Sequence, residues 1–175
     1  MNNVSMIITG QKGIGKSTLC YKVIEYLQNL NIKVGGVITL QNDKKCFYLI
    51  GSKLKIPFEA KENESYIPIG RFRIHRENLD RAISSIQSSL ESQFLFLDEI
   101  GILELQGQGY YPILSSVVLR GKTNIFVVKE KILDEFQKIY PRTQSYQVIH
   151  VNSENLDYSL TEIMNLIDKH LMALV

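Results

Sequence analysis

The chain has 175 residues, of which 45% are hydrophobic and 22% charged, and these values are ordinary for one globular domain. The net charge of +2 is too small to indicate nucleic acid or an acidic surface as partner, and the two cysteines, Cys20 and Cys46, lack metal-ligand spacing. Because the N-terminus has no basic flank and no apolar run approaches the roughly 18 residues of a membrane span, we expect a cytoplasmic protein without a membrane partner.

The first motif is a glycine-rich loop between an apolar run and a helical pattern. Val4 to Ile8 predicts a strand, and the sequence G-Q-K-G-I-G-K-S follows it at Gly10 to Ser17. Glycines let consecutive backbone N–H groups turn toward one phosphate, and a helix N-terminus adds further unpaired N–H donors. The predicted phosphate-binding residues are Gly10, Gln11, Lys12, Gly13, Ile14, Gly15, Lys16, Ser17 and Thr18.

Three side chains of this loop receive individual roles. Lys16 is predicted to reach the β- and γ-phosphates as a catalytic residue, Ser17 to coordinate Mg²⁺, and Thr18 to donate to the α-phosphate. A Rossmann dinucleotide site is rejected because Thr18 occupies its last glycine position and the second strand does not end in an acidic residue. The loop therefore predicts a nucleoside triphosphate as ligand and Mg²⁺ as cofactor.

The segments after the loop predict a helix, a strand and an inserted ribbon. Lys16 to Leu30 places apolar residues on one helical face, and Val34 to Leu40 predicts the second strand. The helical period disappears between residues 42 and 70. There, Cys46 to Ile50 and Lys53 to Ala60 predict an antiparallel β-ribbon inserted into the α/β pattern.

Three arginines follow the predicted ribbon. Arg71, Arg73 and Arg76 flank Phe72 and Ile74, and this alternation predicts a strand with a basic face. Two interpretations stay open for that face. It is either a solvated surface, or a set of guanidiniums that bind a second phosphate group or supply an arginine finger.

The second motif is a pair of carboxylates at the end of a buried strand. Phe94 to Leu97 is a continuous apolar run, typical of a parallel strand covered on both faces, and Asp98 and Glu99 follow it. Ligands of open α/β sheets bind at the carboxyl ends of the strands. Asp98 is therefore predicted to hold Mg²⁺ together with Ser17, and Glu99 to orient and polarise the attacking water.

The rest of the chain continues the alternation of helices and strands. The predicted elements are a helix at Tyr110–Leu119, a strand at Asn124–Val128, a helix ended by Pro141, a strand at Tyr146–Val151 and a last helix opened by a capping box at Ser159 and Glu162. This alternation predicts an α/β fold with a mostly parallel sheet and helices on both faces.

Four stretches resemble the small P-loop nucleoside-triphosphatases first described from thermophiles, also called cancer-related nucleoside-triphosphatases. They are Gly10 to Leu19, Gly70 to Asp80, Leu97 to Leu105 and Val148 to Leu156. The pattern D-E-I-G-x-x-E-L in the third stretch is much more specific than the P-loop, which many families share. The resemblance implies one RecA-like, three-layer domain over residues 1–175, and it places Gly101 and Glu104 in the nucleotide site beside Asp98 and Glu99.

The same resemblance implies Mg²⁺-dependent hydrolysis of ATP, GTP and other nucleoside triphosphates to diphosphates and phosphate. Two alternatives stay open. In the first, the protein is a kinase that passes the γ-phosphoryl group to a nucleotide or small metabolite held by the arginine-bearing strand. In the second, it is a nucleotide-dependent switch whose hydrolysis times a protein interaction, with a partner that the sequence does not identify.

Overall fold

The structure is a computed structural model that describes residues 5–41, 43–119, 123–141 and 146–173. Its strands are β1 (Met6–Thr9), β2 (Val34–Gln41), β3 (Lys45–Leu49), β4 (Leu54–Pro57), β5 (Tyr66–Ile69), β6 (Phe72–His75), β7 (Phe94–Ile100), β8 (Thr123–Val128) and β9 (Gln147–His150). Its α-helices are α1 (Lys16–Asn29), α2 (Arg76–Ser88), α3 (Ile102–Leu105), α4 (Tyr111–Leu119), α5 (Leu133–Ile139) and α6 (Leu156–Met172). A short 3₁₀ turn, Glu130–Ile132, precedes α5. Within the described ranges, no helix combines the length and apolarity that crossing a membrane requires.

The main sheet brings the ends of β1 and β7 to the same edge. Its strand order is β4-β3-β2-β7-β8-β1-β9. The five neighbouring strands β2, β7, β8, β1 and β9 run parallel to one another. β8 lies between β1 and β7, with Ile125 opposite both Met6 and Phe96. Because the carboxyl ends of parallel strands meet at one edge, the glycine loop after β1 and the carboxylates at the end of β7 come together.

Helices cover both faces of this sheet, which makes three layers. Met6 and Ile8 point into a core with α1 and α6, whereas Ile7 points into a second core with α2, α4 and α5. All three of these β1 side chains are fully buried, as expected for a central parallel strand. The predicted α/β class, a mostly parallel sheet between two helical layers, is confirmed.

Close approach of β2 to β7 depends on glycine at one position. Gly36 has φ +98°, and a Cβ at this residue would lie 2.0 Å from the Phe96 carbonyl oxygen. Only glycine adopts this conformation and leaves room for the neighbouring backbone. Gly36 therefore serves packing between strands, whereas Gly35 leaves room for the side chains of Ser89 and Ser92, after α2.

The predicted ribbon is present, and it continues into a second hairpin. β3 and β4 extend the main sheet in antiparallel register beyond β2, with Thr39 opposite Phe47. β5 and β6 form a separate two-stranded sheet, in which Pro68 pairs with Arg73. The arginine-bearing strand was thus predicted, but its partner β5 was missed because a proline and a preceding polar loop hide its pattern.

The predicted start of the last helix is wrong. α6 begins at Leu156, and Ser159 lies inside it with 1% of its surface exposed. The turn before the helix is organised by Asn152, whose Oδ1 accepts the backbone N–H groups of Glu154 and Asn155. An asparagine turn therefore starts this helix instead of the S-x-x-E capping box.

Candidate functional site

The glycine loop turns sharply between β1 and α1. Gly10 has φ +141°, and a Cβ there would lie 2.1 Å from the carbonyl oxygen of Val151, just beyond β9. Gly13 and Gly15 also have positive φ, and Gly15 directly precedes α1. The backbone is thereby bent so that the loop and the first turn of α1 present N–H donors at the sheet edge.

Lys16 folds back over this loop. Its ammonium donates to the carbonyl oxygens of Gly10 and Gln11 at 2.7 and 2.5 Å. Burial lowers the pKa of Lys16, although the negative charges of Asp98 and Glu99 oppose that shift. A cation is therefore held above the loop by backbone carbonyls that an anionic ligand can replace.

The two sequence motifs meet through a single hydrogen bond. Ser17, in the first turn of α1, donates to Asp98 Oδ2 at 2.6 Å, although 81 positions separate the two residues. The same oxygen accepts the Thr39 backbone N–H at 3.0 Å, and Asp98 Oδ1 accepts the Glu99 N–H at 2.7 Å. Burial, with a smaller contribution from the Glu99 charge, raises the pKa of Asp98 to about 6 despite these three donors.

Glu99 sits at an irregularity of β7. Its φ of +65° is a left-handed conformation that is rare for a residue with a side chain, and the pairing of β7 with β8 shifts between Leu97 and Ile100. Consecutive side chains of a regular strand point to opposite faces. At this bulge, Asp98 and Glu99 both act electrostatically on Lys16, so the carboxylates share one site.

Glu99 is surrounded by cations. Its Oε1 lies 2.6 Å from the Lys45 ammonium and its Oε2 lies 3.7 Å from that of Lys129. Burial alone would raise the pKa of Glu99, but Lys45, Lys129 and Lys12 together outweigh it and hold the pKa below its ordinary value. Glu99 is therefore a carboxylate at neutral pH, and both of its oxygens can accept hydrogen bonds.

Aromatic rings from the ribbon and hairpin hold Lys45 in place. The Lys45 ammonium lies 4.2 Å from the ring centroid of Phe58 and 4.9 Å from that of Phe72. Lys45, Phe58 and Phe72 form what we call the ribbon cluster. Lys12 of the glycine loop lies 4.9 Å from the same Phe72 ring, so the cluster is in contact with the phosphate loop.

The three arginines of the predicted basic strand have different surroundings. The Arg73 guanidinium stacks 4.0 Å from the Tyr66 ring centroid and donates to the Glu62 carbonyl oxygen at 3.2 Å. Arg76 is exposed at the start of α2. Arg71 is exposed and lies 5.1 Å from the Phe72 ring, which Lys12 of the glycine loop also contacts. The prediction that one of them acts as an arginine finger stays a prediction.

Glu104 supports the loop that follows β7. Its Oε2 accepts the Gly101 N–H at 2.7 Å, and its Oε1 accepts the Tyr110 N–H at 2.9 Å. Burial raises the pKa of Glu104, and the two N–H donors oppose the shift. Both carboxylate oxygens are thus occupied by backbone donors, and Glu104 fixes the chain between β7 and α4 from beneath the site.

A cleft opens on the other side of the glycine loop. Its volume is about 240 Å³, and it is lined by Gly10, Gln11, Ile14, Glu130, His150, Val151, Asn152 and Ser153. The loop thus separates this cleft from the ribbon cluster. Thr18 lies on the exposed surface of α1, beside Leu156 and Lys22 in a smaller depression.

Sequence reasoning missed Lys45 and Thr39. Lys45 belongs to a polar run after β2, and no period distinguishes it from its exposed neighbour Lys44. Thr39 contributes a backbone N–H, which carries no sequence signal. The pairing of β2 with β3 carries Lys45 next to the carboxylate pair, and the pairing of β2 with β7 brings the Thr39 N–H to Asp98.

The fold and the site together define a P-loop nucleoside-triphosphatase: a parallel sheet, a glycine loop opening a helix, and a serine–aspartate pair joining that helix to a nearby strand end. Residues 5–164 match the model of a protein family described as NTPase. The chain belongs to this family, so the assignment to the small P-loop nucleoside-triphosphatases is confirmed.

Individual relatives agree with the family match. A nucleoside-triphosphatase THEP1 from Methanocaldococcus jannaschii is 26% identical over 172 residues, covering 91% of this chain and 95% of the relative. One from Hyperthermus butylicus is 28% identical over 160 residues, covering 87% and 84%. The solved THEP1 of Aquifex aeolicus is 21% identical, with a TM-score of 0.68 over 93% of this chain and 98% of its own. A human cancer-related nucleoside triphosphatase gives the same TM-score at 19% identity, over 95% and 98%.

Proposed function

We propose that this protein hydrolyses nucleoside triphosphates, including ATP and GTP, to diphosphates and phosphate with Mg²⁺ bound. The observation that carries the proposal is the 2.6 Å hydrogen bond between Ser17 and Asp98. It joins the loop that receives phosphates to the carboxylates that act on the metal and the water. Membership of the NTPase family and relatives named nucleoside-triphosphatase support the same activity.

The donor set at this junction suits Mg²⁺. The Ser17 hydroxyl and the Asp98 carboxylate are adjacent oxygen ligands, and Mg²⁺ in such sites takes one or two protein oxygens and completes its shell with phosphates and water. With a pKa of about 6, Asp98 is mostly ionised at neutral pH. Bound Mg²⁺ would neutralise charge on the β- and γ-oxygens.

The remaining residues bind the phosphates and position the water. Lys16 exchanges the carbonyl oxygens of Gly10 and Gln11 for the β- and γ-phosphate oxygens, and the loop N–H groups donate to the same phosphates. Glu99 accepts a hydrogen bond from the attacking water. The water oxygen bonds to the γ-phosphorus, the bond to the bridging oxygen breaks, the diphosphate leaves, and the proton lost by the water passes through Glu99 to solvent.

The test is phosphate release from ATP, GTP, CTP and UTP with Mg²⁺, comparing the wild type with Glu99→Gln. We expect release from several nucleotides and a fall in kcat of about 10²–10⁴-fold in the variant, because it loses the group that orients water. Affinity for ADP should stay within about threefold of the wild-type value, since Glu99 acts on the attacking water and not on the two phosphates of ADP.

The matched control is Glu25→Gln, the same change at an exposed position of α1. It should release phosphate at the wild-type rate, and both preparations control for contaminating phosphatases. Equal activity of wild type and Glu99→Gln, or parallel loss of binding and turnover, would contradict the role given to Glu99. Absence of release from the wild type would contradict hydrolysis itself.

One observation favours a kinase as second candidate. Lys12 and Arg71 both lie against Phe72 and form no ion pair within the described part of the chain, so the hairpin offers cations to a second phosphate group. A kinase would form ADP faster when an acceptor is added. Phosphate release without any acceptor would decide for hydrolysis.

Several properties stay predictions from the sequence. A cytoplasmic location and the lack of a nucleic-acid or membrane partner are among them, as is a single domain over residues 1–175.

The site binds the phosphates, which every nucleoside triphosphate shares, and we therefore propose broad base acceptance.

A further inference from the structure

Lys45 is a largely enclosed cation at the site, and the sequence motifs do not include it. Only 8% of its side-chain surface is exposed, compared with 48% for Lys129, the other lysine beside Glu99. A lysine loses much hydration when it is enclosed, so an enclosed lysine needs strong partners. Here the partners are Glu99 at 2.6 Å and the rings of Phe58 and Phe72.

The backbone under Lys45 is fixed on both sides. Lys45 pairs with Gln41 of β2, and its carbonyl oxygen accepts the Phe58 N–H at 3.1 Å. The two rings then limit the directions in which the side chain extends. Consequently, the ammonium is restricted to the space between the phosphate loop and the end of β7, where Glu99 would hold the attacking water.

The arginines that the sequence suggested are less suitable for this position. Arg73 is occupied by Tyr66 and by the Glu62 carbonyl, whereas Arg76 is exposed at the start of α2. Arg71 is exposed, with its guanidinium 5.1 Å from the Phe72 ring centroid. A cation held in a partly dehydrated site stabilises transferred charge better than one on a mobile, solvated side chain.

We propose that Lys45 is a catalytic residue of the hydrolysis proposed above, paired with Glu99 while the site lacks a triphosphate and paired with the transferring γ-phosphoryl group once one is bound. It then supplies, within this chain, the positive charge that other P-loop enzymes take from an arginine finger. The exchange also releases Glu99 to bind water. Lys45 keeps its proton throughout, and no bond to it forms or breaks.

The proposal rests on the proposed hydrolysis and is tested with Lys45→Met, Lys45→Gln and Lys45→Arg. The matched control is Lys44→Met, the same change at the neighbouring exposed lysine. We expect Lys45→Met and Lys45→Gln to lower kcat about 100-fold with KM within about threefold, because a charge used in the transition state is lost. The kcat of Lys45→Arg should lie within about tenfold of the wild-type value, because the positive charge is kept. The kcat of the control Lys44→Met should equal that of the wild type.

A second arm measures affinity for ADP with Mg²⁺ and aluminium fluoride, a mimic of the transferring phosphoryl group, beside affinity for ADP with Mg²⁺ alone. Lys45→Met should weaken the fluoride complex by about the factor lost in kcat and leave ADP binding within about threefold. If Lys45→Met does not fold, Lys45→Gln serves in both arms, since it keeps a hydrogen-bond donor and loses only the charge.

The outcomes separate this proposal from the activity on which it rests. An inactive wild type would contradict hydrolysis, while the fluoride arm would still test Lys45. An active wild type with Lys45→Met within threefold of it in both arms would overturn the proposal. So would equal weakening of ADP and of the fluoride complex, because that result assigns Lys45 to uniform binding of the diphosphate and not to the transferring phosphoryl group.

Discussion

The two sides of the site hold charge by different means. The phosphate loop, residues 10–17, uses backbone: its glycines have positive φ, and even Lys16 is held by main-chain carbonyls. The ribbon cluster uses side chains, since Lys45 is held by a carboxylate and two aromatic rings. At Gly10 the backbone leaves no room for an added Cβ, whereas a side-chain cluster can be altered one group at a time. In the proposed function, the loop binds the phosphates, and the ribbon cluster is the side where the rate of hydrolysis can be adjusted.

This comparison predicts that the largest effect of a substitution is a loss of stability in the phosphate loop. Gly10→Ala should lower the free energy of unfolding by at least about 3 kcal/mol, because the new Cβ would meet the Val151 carbonyl oxygen and φ is +141°. Gly13→Ala is the control, with positive φ but no atom within 4 Å, and should lower it by only about 1 kcal/mol. Urea denaturation measures both. Equal losses of stability in the two variants would show that the positive φ, and not contact with Val151, determines which residues the loop tolerates.

The next effect is the pH dependence of Mg²⁺-dependent binding. Asp98, whose pKa is about 6, should lose its charge as pH falls, so the affinity for ADP with Mg²⁺ should drop about tenfold between pH 8 and pH 5. Calorimetry of wild type and Asp98→Asn measures this. The variant serves as reference because phosphate groups also titrate near pH 6. An identical pH profile in both proteins would contradict the assignment.

The same pKa gives an opposite trend for the protein without ligand. Because the pKa of Asp98 lies above the ordinary value of 3.8, its ionised form destabilises the folded chain, fully so above pH 6. That destabilisation disappears as pH falls from 6 toward 4. The free protein should therefore gain stability from this residue over the range in which it loses Mg²⁺ affinity.

A smaller effect is expected when a ring of the ribbon cluster is removed. Phe72→Leu should lower kcat about fivefold, because Lys45 loses one of its two cation–π contacts while its ion pair with Glu99 remains. Tyr66→Leu, on the same hairpin but stacked on Arg73, is the control and should leave kcat within twofold. Equal losses in the two variants would assign the effect to the hairpin as a whole. Phosphate release under saturating nucleotide measures both.

The smallest effect is predicted at Arg76. This side chain is exposed at the start of α2, and Arg76→Ala should change kcat by less than twofold and the free energy of unfolding by less than about 0.5 kcal/mol. Steady-state kinetics and urea denaturation measure the two quantities. A tenfold fall in kcat would instead identify Arg76 as an arginine finger and remove the need for Lys45.

The sequence predicts the phosphate loop better than the ribbon cluster for a physical reason. The loop is predicted by glycines at fixed spacing together with a lysine and a serine. The end of β7 is predicted by an apolar run that ends in two carboxylates. Their contact follows from parallel topology alone. Lys45 reaches Glu99 only through the antiparallel register of β3 on β2, and strand register depends on tertiary packing that local periodicity does not contain.

Two further errors have the same origin. β5 was missed because its pairing with β6 tolerates a proline that argues against a strand when read locally. The S-x-x-E pattern at Ser159 is an equally local signal, and the turn around Asn152 overrode it. The place of Glu104 in the nucleotide site stays a prediction, and its two backbone partners are visible only after the chain between β7 and α4 is folded.

The hydrogen bond from Thr39 to Asp98 makes one amide of the protein a spectroscopic reporter. The pairing of β2 with β7 ends at Val37 and Leu97, and beyond it the Asp98 carboxylate accepts the Thr39 N–H. An amide proton that points at a carboxylate has a resonance frequency sensitive to the charge on that group. The ¹H–¹⁵N signal of Thr39 should therefore follow protonation and metal binding at Asp98 without any label at the site.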